Sequence, residues 1–328
     1  MTPMTQHFLL SAAAKTLSLA SVARMTEEEA REAFAAIRWA DNQGKPYCPK
    51  CGCVSVYACP SRAIFKCKGC AAQFSVTSGT IFANRKLAVR EYLLAIAIFC
   101  NGAKGISALQ LSRDLSVQYR TAYVLAHKLR ETMAAQMNGA KVSGDVEIDG
   151  AYFGGHVRPT NWKKNRRDRR LRFNRSPKRR VVVIMRERKG RTLPFVFKAE
   201  DQAIPTIENH VVPGSTIYAD EAGSWNALHS RYLTKRINHQ EAYSDGQACT
   251  NQAESFFSRM RRAEIGTHHH FAGPYLASYA DEFAWREDNR RISNGEQFLM
   301  VAGGAAKLPV SRKWSGYWNR KPKVEAAE

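Results

Sequence analysis

The sequence predicts a mixed α/β core preceded by two smaller modules, one metal-binding and one helical. Three patterns predict this organisation: two cysteine pairs near the N-terminal end, a stretch of helical apolar spacing after them, and strands alternating with helices from about residue 141. At 328 residues and 44% apolar, the chain is long enough for one large core and small modules. We expect five segments: 1–45 helical, 46–84 metal-binding, 85–140 helical, 141–300 α/β, and 301–328 a basic tail.

The composition is strongly basic. Fifty Lys and Arg against 29 Asp and Glu give a formal net charge of +21, which favours a polyanionic partner such as nucleic acid. No window approaches ~18 consecutive apolar residues, the length needed to cross a membrane. The apolar run at 8–14 lacks a preceding basic segment and is followed by Lys15, so it does not read as a signal peptide. We expect a cytoplasmic, nucleoid-associated protein with no membrane partner.

The two cysteine pairs predict a zinc ribbon. Each pair has the C-x-x-C spacing, and fifteen residues separate the pairs, as expected when two tight turns converge on one tetrahedral Zn²⁺. Cys53 and Cys59 lack this paired spacing, and we expect them to be spectators. The alternative is four unlinked cysteines. The predicted zinc ligands are Cys48, Cys51, Cys67 and Cys70.

The helical segment has the rhythm of a helix-turn-helix. Thr26 and Glu29 form a capping box that starts an earlier helix. Farther along, 105–115 and 118–130 read as two helices around a short turn. The second helix would present Gln118, Tyr119, Arg120, Tyr123 and Lys128 to DNA. Simple core packing is the alternative for such a helical pair.

The α/β segment begins with an alternating strand at 146–153 that Gly154 and Gly155 end. The following elements are a hairpin of 180–186 with 192–197, a strand at 215–219, and helices at 204–212, 225–233, 250–263 and 276–289. The tail from Pro309 is expected to be loosely ordered. Strands alternating with helices predict a mixed sheet.

Two aspartates end strands of this segment. Asp149 and Asp220 can share cations if their strands are neighbours, and Asn251 and Glu254 offer a third ligand at i and i+3 on one helix face. Two Mg²⁺ (or Mn²⁺) ions, roughly 3.5–4 Å apart, would activate an attacking oxygen and steady the leaving oxygen at phosphorus. We interpret Glu221 and Asp245 as neighbours rather than ligands.

At this point the sequence resembles the DDE-type transposases of insertion sequences, specifically the subgroup with an N-terminal zinc ribbon. The resemblance spans most of the chain and rests on four segments together: 38–39 leading to 47–52, 74–82, 147–155, and 282–286 with Asn289. It implies a ribonuclease H-like fold, binding of terminal inverted repeats, hydrolytic nicking at the ends, and attack of the freed 3′-hydroxyl on target DNA. Because two ends must be held together, it also implies a homo-oligomer.

The resemblance leaves the third ligand open, since some members use Asn and others Glu. Glu254 fits the usual spacing from the second aspartate, and Arg261 stands where related enzymes keep a DNA-contacting basic residue. Asn251 is the alternative. The motif commonly starts with a histidine where this chain has Cys249 and Thr250, so the start of this helix departs from the family pattern.

Basic residues form two further candidate DNA contacts. Residues 161–180 hold eleven Lys or Arg with Trp162 and Phe173 interleaved, which favours a phosphate clamp over a merely solvated loop. The third-ligand helix adds more positive charge, and a His-rich turn follows it. We expect Glu282 and Arg286 to be a structural pair. The DNA-binding candidates besides Arg120 and Lys128 are Lys163, Lys164, Arg166, Arg167, Arg169, Arg170, Arg259, Arg261, Arg262 and His268.

Two other functions share these features. One is a DNA-binding regulator derived from an inactive transposase, and the other is a metal-dependent nuclease without strand transfer. The complete set of Asp149, Asp220 and Glu254 favours an active enzyme.

Overall fold

A computed structural model describes residues 8–155, 162–166, 168, 171, 174, 176–237 and 249–319. Its α-helices are α1 (Leu19–Arg24), α2 (Glu27–Arg38), α3 (Val89–Asn101), α4 (Ala108–Asp114), α5 (Tyr119–Ala135), α6 (Ile204–His210), α7 (Asn251–Ala263), α8 (Leu276–Asp288) and α9 (Asn294–Lys307). Its strands are β1 (Val56–Cys59), β2 (Ile64–Cys67), β3 (Gln73–Phe74), β4 (Asp145–Phe153), β5 (Arg180–Glu187), β6 (Thr192–Phe197), β7 (Thr216–Asp220) and β8 (Leu233–Ile237).

The contacts divide the chain into two compact units. One comprises Met1–Gln136 with Arg291–Glu328, and the other Met137–Arg290. Helix α9, part of which was expected in the α/β segment, packs against α2, α3 and α5 in the first unit. None of the helices in the described part of the chain has the length and apolar character needed to span a bilayer.

In the first unit, α2 leads directly into the cysteine-bearing sheet. Its predicted capping box is confirmed: the Glu29 amide donates to Thr26 Oγ1 and the Thr26 amide donates to Glu29 Oε2 at 2.7 Å. At the other end, Trp39 is buried and packs edge-on against Phe65 and Phe74 of the antiparallel sheet β1-β2-β3. Arg38 donates to main-chain carbonyls of Val76 and Ser78, each at 2.6 Å. The helix and the turn after β3 are therefore held together.

Helices α4 and α5 form the predicted pair around a short turn. Ser116 has φ of 51°, and the Val117 amide donates to the Ser112 carbonyl at 2.9 Å, which closes the turn. Leu111, Ala122 and Leu125 are buried, so the two helices pack through apolar side chains.

The prediction of a loosely ordered tail from Pro309 is wrong for residues 309–319. Trp314 is only 1% exposed and stacks on buried His127 of α5, with ring centroids 4.1 Å apart. Burying an indole ring is favourable by roughly 2–3 kcal/mol, which outweighs the local repulsion between exposed basic side chains. The prediction was based on the basic composition of the segment, which does not show that Trp314 is buried against α5.

The second unit contains a five-stranded mixed sheet in the order β6-β5-β4-β7-β8. β5 pairs antiparallel with β4 and β6, whereas β7 pairs parallel with β4 and β8. This confirms the predicted mixed α/β architecture and the β5–β6 hairpin. Gly154 and Gly155 have φ of 70° and 66°, a left-handed conformation that ends β4 as predicted.

Each face of this sheet is covered by helices. Alternate residues of β4 and β7, such as Ile148 and Ala219, face a core shared with Ile207 of α6 and with the 3₁₀ segment Gly223–Ser230. Ala151 and Phe153 face the opposite core, which is built with α7 and α8. Because side chains alternate across a strand, Glu147 and Asp149 of β4 project toward the α7 face.

The helix predicted at 225–233 is wrong. Residues Gly223–Ser230 form a 3₁₀ segment, and Leu233–Ile237 form the edge strand β8. β8 pairs parallel with β7, from Thr216 opposite Leu233 to Asp220 opposite Ile237. This pairing satisfies the main-chain hydrogen-bonding groups of β8, and local sequence propensity does not reveal it.

Candidate active site and zinc centre

The two predicted aspartates lie side by side in the sheet. The parallel register pairs Ile148 of β4 with Ala219 of β7, so Asp149 and Asp220 occupy the next position on each strand. Neighbouring strands are about 4.8 Å apart, which brings the two carboxylates near one another. The structure therefore brings together two residues that are 71 positions apart in the sequence.

Asp220 is oriented by the segment that follows it. Its Oδ1 accepts a hydrogen bond of 2.8 Å from the indole Nε1 of Trp225 and one of 3.2 Å from the Ala222 amide. Trp225 is 1% exposed and belongs to the core on the α6 side of the sheet. The carboxylate thus has a defined direction, because its donor is fixed by packing.

The third-ligand helix α7 begins at Asn251, so both candidates lie in its first two turns. Asn251 is exposed, whereas Glu254 is partly buried and receives a 3.4 Å hydrogen bond from the Thr250 hydroxyl. The pKa of Asp149 is raised first by burial, and then by Asp220 and Glu254. Among the two candidates, Glu254 is therefore the one that is electrostatically linked to the aspartates.

A buried carboxylate missed by the sequence reasoning holds the start of α7. Glu147 of β4 is 0% exposed, and its Oε2 accepts the main-chain amides of Gln252 and Ala253 at 2.9 and 3.0 Å. Thr250, the residue before the helix, makes no side-chain cap. Glu147 therefore acts as a helix cap from a neighbouring strand and satisfies amides that a helix cannot satisfy itself.

The other oxygen of Glu147 is paired with Arg188. The Arg188 Nε donates to Glu147 Oε1 at 2.8 Å, and its Nη2 donates to the Cys249 carbonyl at 2.8 Å. The guanidinium also lies 3.8 Å from the ring centroid of Tyr218 on β7. Cys249 is thus tied to the sheet. The Glu147–Arg188 pair fixes the start of α7 relative to β4, two residues from Asp149.

Glu200 is a fourth acidic side chain at this place and was also missed. A Cβ added at Gly150 would lie 3.1 Å from the Glu200 side chain, so glycine at 150 is what allows the close approach. Burial raises the pKa of Glu200, and Asp220 raises it further. The Ser224 hydroxyl donates to Glu200 Oε2 at 3.2 Å. The sequence signal for this close approach was the pair Asp149-Gly150, which is typical of a turn but here lies inside β4.

The crowding of carboxylates changes the titration of Asp149. Burial raises its pKa to about 7, and Asp220, Glu254 and Glu200 add to the effect, although the Gly150 amide opposes it with a 2.7 Å hydrogen bond. A carboxylic acid with so high a pKa marks a site where negative charge is unfavourable unless a cation is bound.

This raised pKa predicts that the second unit is destabilised as pH rises in Mg²⁺-free buffer. The ordinary value is 3.8 and the folded value about 7, so the carboxyl ionises more easily in the unfolded chain. The penalty is absent below about pH 4 and complete above about pH 7, where it reaches at most about 4 kcal/mol. Asp149→Asn removes it. At pH 8 we expect slower hydrogen exchange of β4 and β7 amides in Asp149→Asn than in wild type.

The same comparison at pH 4 should show little difference between the two proteins. Asp201→Asn is the control, because Asp201 is exposed and lies outside the strands. Equal exchange of wild type and Asp149→Asn at pH 8 would contradict the raised pKa.

The zinc centre is assembled as predicted. The sulfurs of Cys48, Cys51, Cys67 and Cys70 all lie within 4.8 Å of one another, and they are the one group of three or more candidate metal ligands gathered so closely among the described residues. Amide hydrogen bonds, first from Cys70 and then from Gly69, lower the pKa of Cys67 to about 6, which favours a thiolate. Cys53 instead points its thiol at the Ser55 carbonyl. Four converging sulfurs on two knuckles fit Zn²⁺.

The structure separates the predicted DNA contacts into exposed and internally engaged residues. Lys163, Lys164 and Arg166 are exposed, as are Arg120, Arg261 and Arg262. Lys164 lies 5.8 Å from the ring of Trp162, which is 71% exposed. Arg261 lies 5.6 Å from the ring of Phe153. Arg167, Arg169 and Arg170 lie outside the described residues.

Three of the predicted DNA contacts have partners within the protein. Lys128 donates to the Ile81 carbonyl at 2.8 Å, Arg259 pairs with Glu287 at 2.6 Å, and the His268 ring packs 5.0 Å from Tyr279. Burial lowers the pKa of both Lys128 and Arg259, and the Arg259 side chain remains 38% exposed. We leave these three out of the proposed DNA surface. The predicted Glu282–Arg286 pair is present at 2.8 Å and buried.

Comparison with known proteins gives two family matches. Residues 141–288 match an ISXO2-like transposase domain, within the bounds of the second unit, and residues 25–73 match a transposase zinc-ribbon domain. The chain is 24% identical over 277 residues to an uncharacterized protein in transposable element ISH50 of Halobacterium salinarum, covering 80% of this chain and 92% of that protein. No solved structure matches.

A mixed-sheet α/β domain of transposase type, joined to a four-cysteine zinc ribbon, defines this protein as an insertion-sequence transposase. Both domain matches are to models of IS1595 transposases. As an insertion-sequence transposase it is a DNA-binding enzyme, and its four-cysteine ribbon fits Zn²⁺.

Proposed function

We propose that this transposase binds the terminal inverted repeats of its element, cleaves DNA there, and joins the freed 3′ ends to target DNA with Asp149, Asp220 and a third ligand on α7. The observation that carries the proposal is the register of β4 and β7, which places the two aspartates side by side under a helix that bears Glu254. Such crowding of ionisable groups in one place is typical of functional sites.

The donor chemistry fits Mg²⁺ or Mn²⁺. Carboxylate oxygens are hard ligands, and a divalent cation would stabilise the ionised form of Asp149, whose pKa is raised first by burial and then by the neighbouring carboxylates. When bound, a pair of such cations would activate the attacking oxygen and stabilise the leaving oxygen. The protein supplies the rest: Trp225 directs Asp220, and Glu147 holds the start of α7.

For the third ligand we favour Glu254, with Asn251 as the alternative. Glu254 contributes to the raised pKa of Asp149, and its partial burial keeps it on the sheet side of α7. Asn251 is exposed at the first helical position. Glu254→Gln should reduce cleavage as much as Asp149→Asn, whereas Asn251→Ala should stay within about tenfold of wild type, since it removes no charge from the site.

The exposed basic side chains are proposed to hold the DNA backbone. Lys163, Lys164 and Arg166 belong to the segment between the first two aspartates, and Arg261 and Arg262 extend α7 beyond the site. Neutralising several phosphates releases counterions, so binding should weaken steeply with salt. The ends and the target would then lie on one basic surface that borders the carboxylates.

The deciding experiment combines the full-length protein with Mg²⁺ and a supercoiled plasmid that carries the inverted repeats flanking its gene. We expect nicked and joined products from wild type. Asp149→Asn and Asp220→Asn should lower both by at least about a thousandfold, because several kcal/mol of charge stabilisation is lost. Binding to the ends should persist in both variants.

The products separate the competing functions. Cleavage without joining would favour a nuclease, and binding without cleavage by wild type would favour a DNA-binding regulator. An active Asp149→Asn variant would refute the site.

The five-segment domain division, with α9 assigned to the first unit, and a homo-oligomer that holds two ends are part of the proposal. The molar mass of the complex with end duplexes, measured by light scattering, tests the homo-oligomer.

A further inference from the structure

We propose that residues 311–319, here called the C-terminal clasp, combine with the first turn of α5 into one surface that grips duplex DNA. The proposal rests on the proposed function only in taking end DNA as the ligand. It concerns binding by the first unit and does not depend on whether the carboxylate site cleaves.

The clasp is fixed to α5 by stacked rings. Trp314 lies nearly parallel to His127, with an interplanar angle of 17°. The Trp314 amide donates to Ser311 Oγ at 2.9 Å, which closes the turn that carries the indole. Because Trp314 and His127 are almost fully buried, the clasp is part of the folded unit.

Further ring contacts continue along the same face of the helix. Tyr123 lies one turn before His127 and contacts Tyr317 and Trp318, with centroids 6.1 and 5.7 Å apart. Tyr119 lies one turn earlier and contacts Tyr123 at 5.9 Å. Residues four apart share a helix face, so the clasp runs back along α5 to its first turn.

The clasp ends beside the exposed start of α5. The Trp318 Nε1 donates to the Arg120 carbonyl at 3.2 Å, and the Arg120 guanidinium lies 5.3 Å from the Trp318 ring centroid. Trp318 remains 43% exposed and Tyr119 47% exposed, although both are large aromatic residues. The structure thus presents two rings and a guanidinium together at the surface.

The charge of this surface fits DNA. Four basic side chains are exposed on α4, α5 and the clasp: Arg113, Arg120, Arg312 and Lys313. The exposed acidic side chain of these three segments is Asp114. In a helix-turn-helix the start of the second helix meets the base edges, while flanking basic groups hold phosphates. Exposed rings add apolar contact to sugars and bases.

The test measures binding rather than cleavage. Full-length protein is titrated with a labelled duplex carrying the flanking inverted repeat, without divalent cation, over a range of salt concentrations. We expect Trp318→Ala to bind at least about tenfold more weakly, and Arg120→Gln to reduce the slope of log affinity against log salt by about one. Leu299→Ala is the matched control, since Leu299 is 54% exposed on α9 in the same unit.

Hydrogen exchange of α5 in Trp318→Ala should match that of wild type, which separates loss of contact from loss of folding. Trp314→Ala should release the clasp and weaken binding as far as Trp318→Ala does. Unchanged affinity in Trp318→Ala would overturn the proposal. It would also be overturned if Trp318→Ala changed the oligomeric state instead, since the surface would then fit a second copy of the chain.

Discussion

Glu147→Gln is expected to destabilise the second unit by about 3–5 kcal/mol, the usual consequence of removing one partner of a buried ion pair. Glutamine keeps the volume but leaves the Arg188 guanidinium, which lies beside Tyr218, without its carboxylate. It also weakens the cap on α7, because a neutral oxygen replaces a charged one at the Gln252 and Ala253 amides.

Activity should fall together with stability in this variant. If Glu147 fixes α7 relative to β4, cleavage by Glu147→Gln will drop by about a hundredfold or more, even at temperatures where the variant is folded. The reason is that the metal ligand on α7 would no longer be correctly oriented toward the aspartates. Binding to end DNA should change little. The cleavage rate and the affinity for end DNA are measured on the same preparation. Stability is measured by unfolding in urea, and hydrogen exchange reports on α7.

Glu208→Gln provides the matched control. Glu208 pairs with Arg231 at 2.9 Å in the same unit, but the arginine side chain of that pair is 60% exposed. Loss of such an exposed pair is expected to change stability by less than about 1 kcal/mol. If Glu147→Gln and Glu208→Gln behaved alike, the buried pair would not be what holds α7 in place.

Removing a zinc ligand should have a comparably large effect on the first unit. Cys51→Ser is expected to lose the bound Zn²⁺ and to unfold β1–β3, because metal binding supplies about 10 kcal/mol or more of the folding free energy in small zinc modules. Trp39, which packs on Phe65 and Phe74, should then become exposed. Zinc content by mass spectrometry and amide exchange of 56–74 are the measurements.

Cys53→Ser distinguishes a ligand from a bystander only two residues away. Its thiol faces the Ser55 carbonyl rather than the other sulfurs, so zinc content and amide exchange should match wild type. Loss of zinc from Cys53→Ser, or its retention in Cys51→Ser, would contradict the ligand set of Cys48, Cys51, Cys67 and Cys70.

Local sequence patterns predicted the elements whose signals are local. The capping box at Thr26 is a contact between residues three apart, and the C-x-x-C turns fix two sulfurs each within one knuckle. The hairpin β5–β6 follows from two β-rich runs close together in the chain. Such features need no knowledge of distant partners, and the sequence therefore contains them in readable form.

Elements that depend on distant partners were missed or misread. The edge strand β8 was missed because its pairing with β7 is a tertiary contact, and the helix predicted at 225–233 extended to its first residue, Leu233. The segment after Pro309 was read as loose because nothing nearby shows that Trp314 stacks on His127. A sequence also does not show that Lys128, Arg259 and His268, which were predicted as DNA contacts, each have a partner inside their unit.

The sequence by itself determined the cysteine ligands, the alternation of strands and helices, and the two aspartates on strands. Asp220 ends β7 as predicted, whereas Asp149 lies inside β4. Tertiary structure alone decided that β4 and β7 are neighbours in a register that aligns Asp149 with Asp220, that Glu147 caps α7, and that Glu200 reaches over Gly150. The physical reason is the range of the interactions. Caps and metal knuckles act over a few residues, whereas strand register, buried ion pairs and the crowding that raises the pKa of Asp149 arise only when distant segments are packed together.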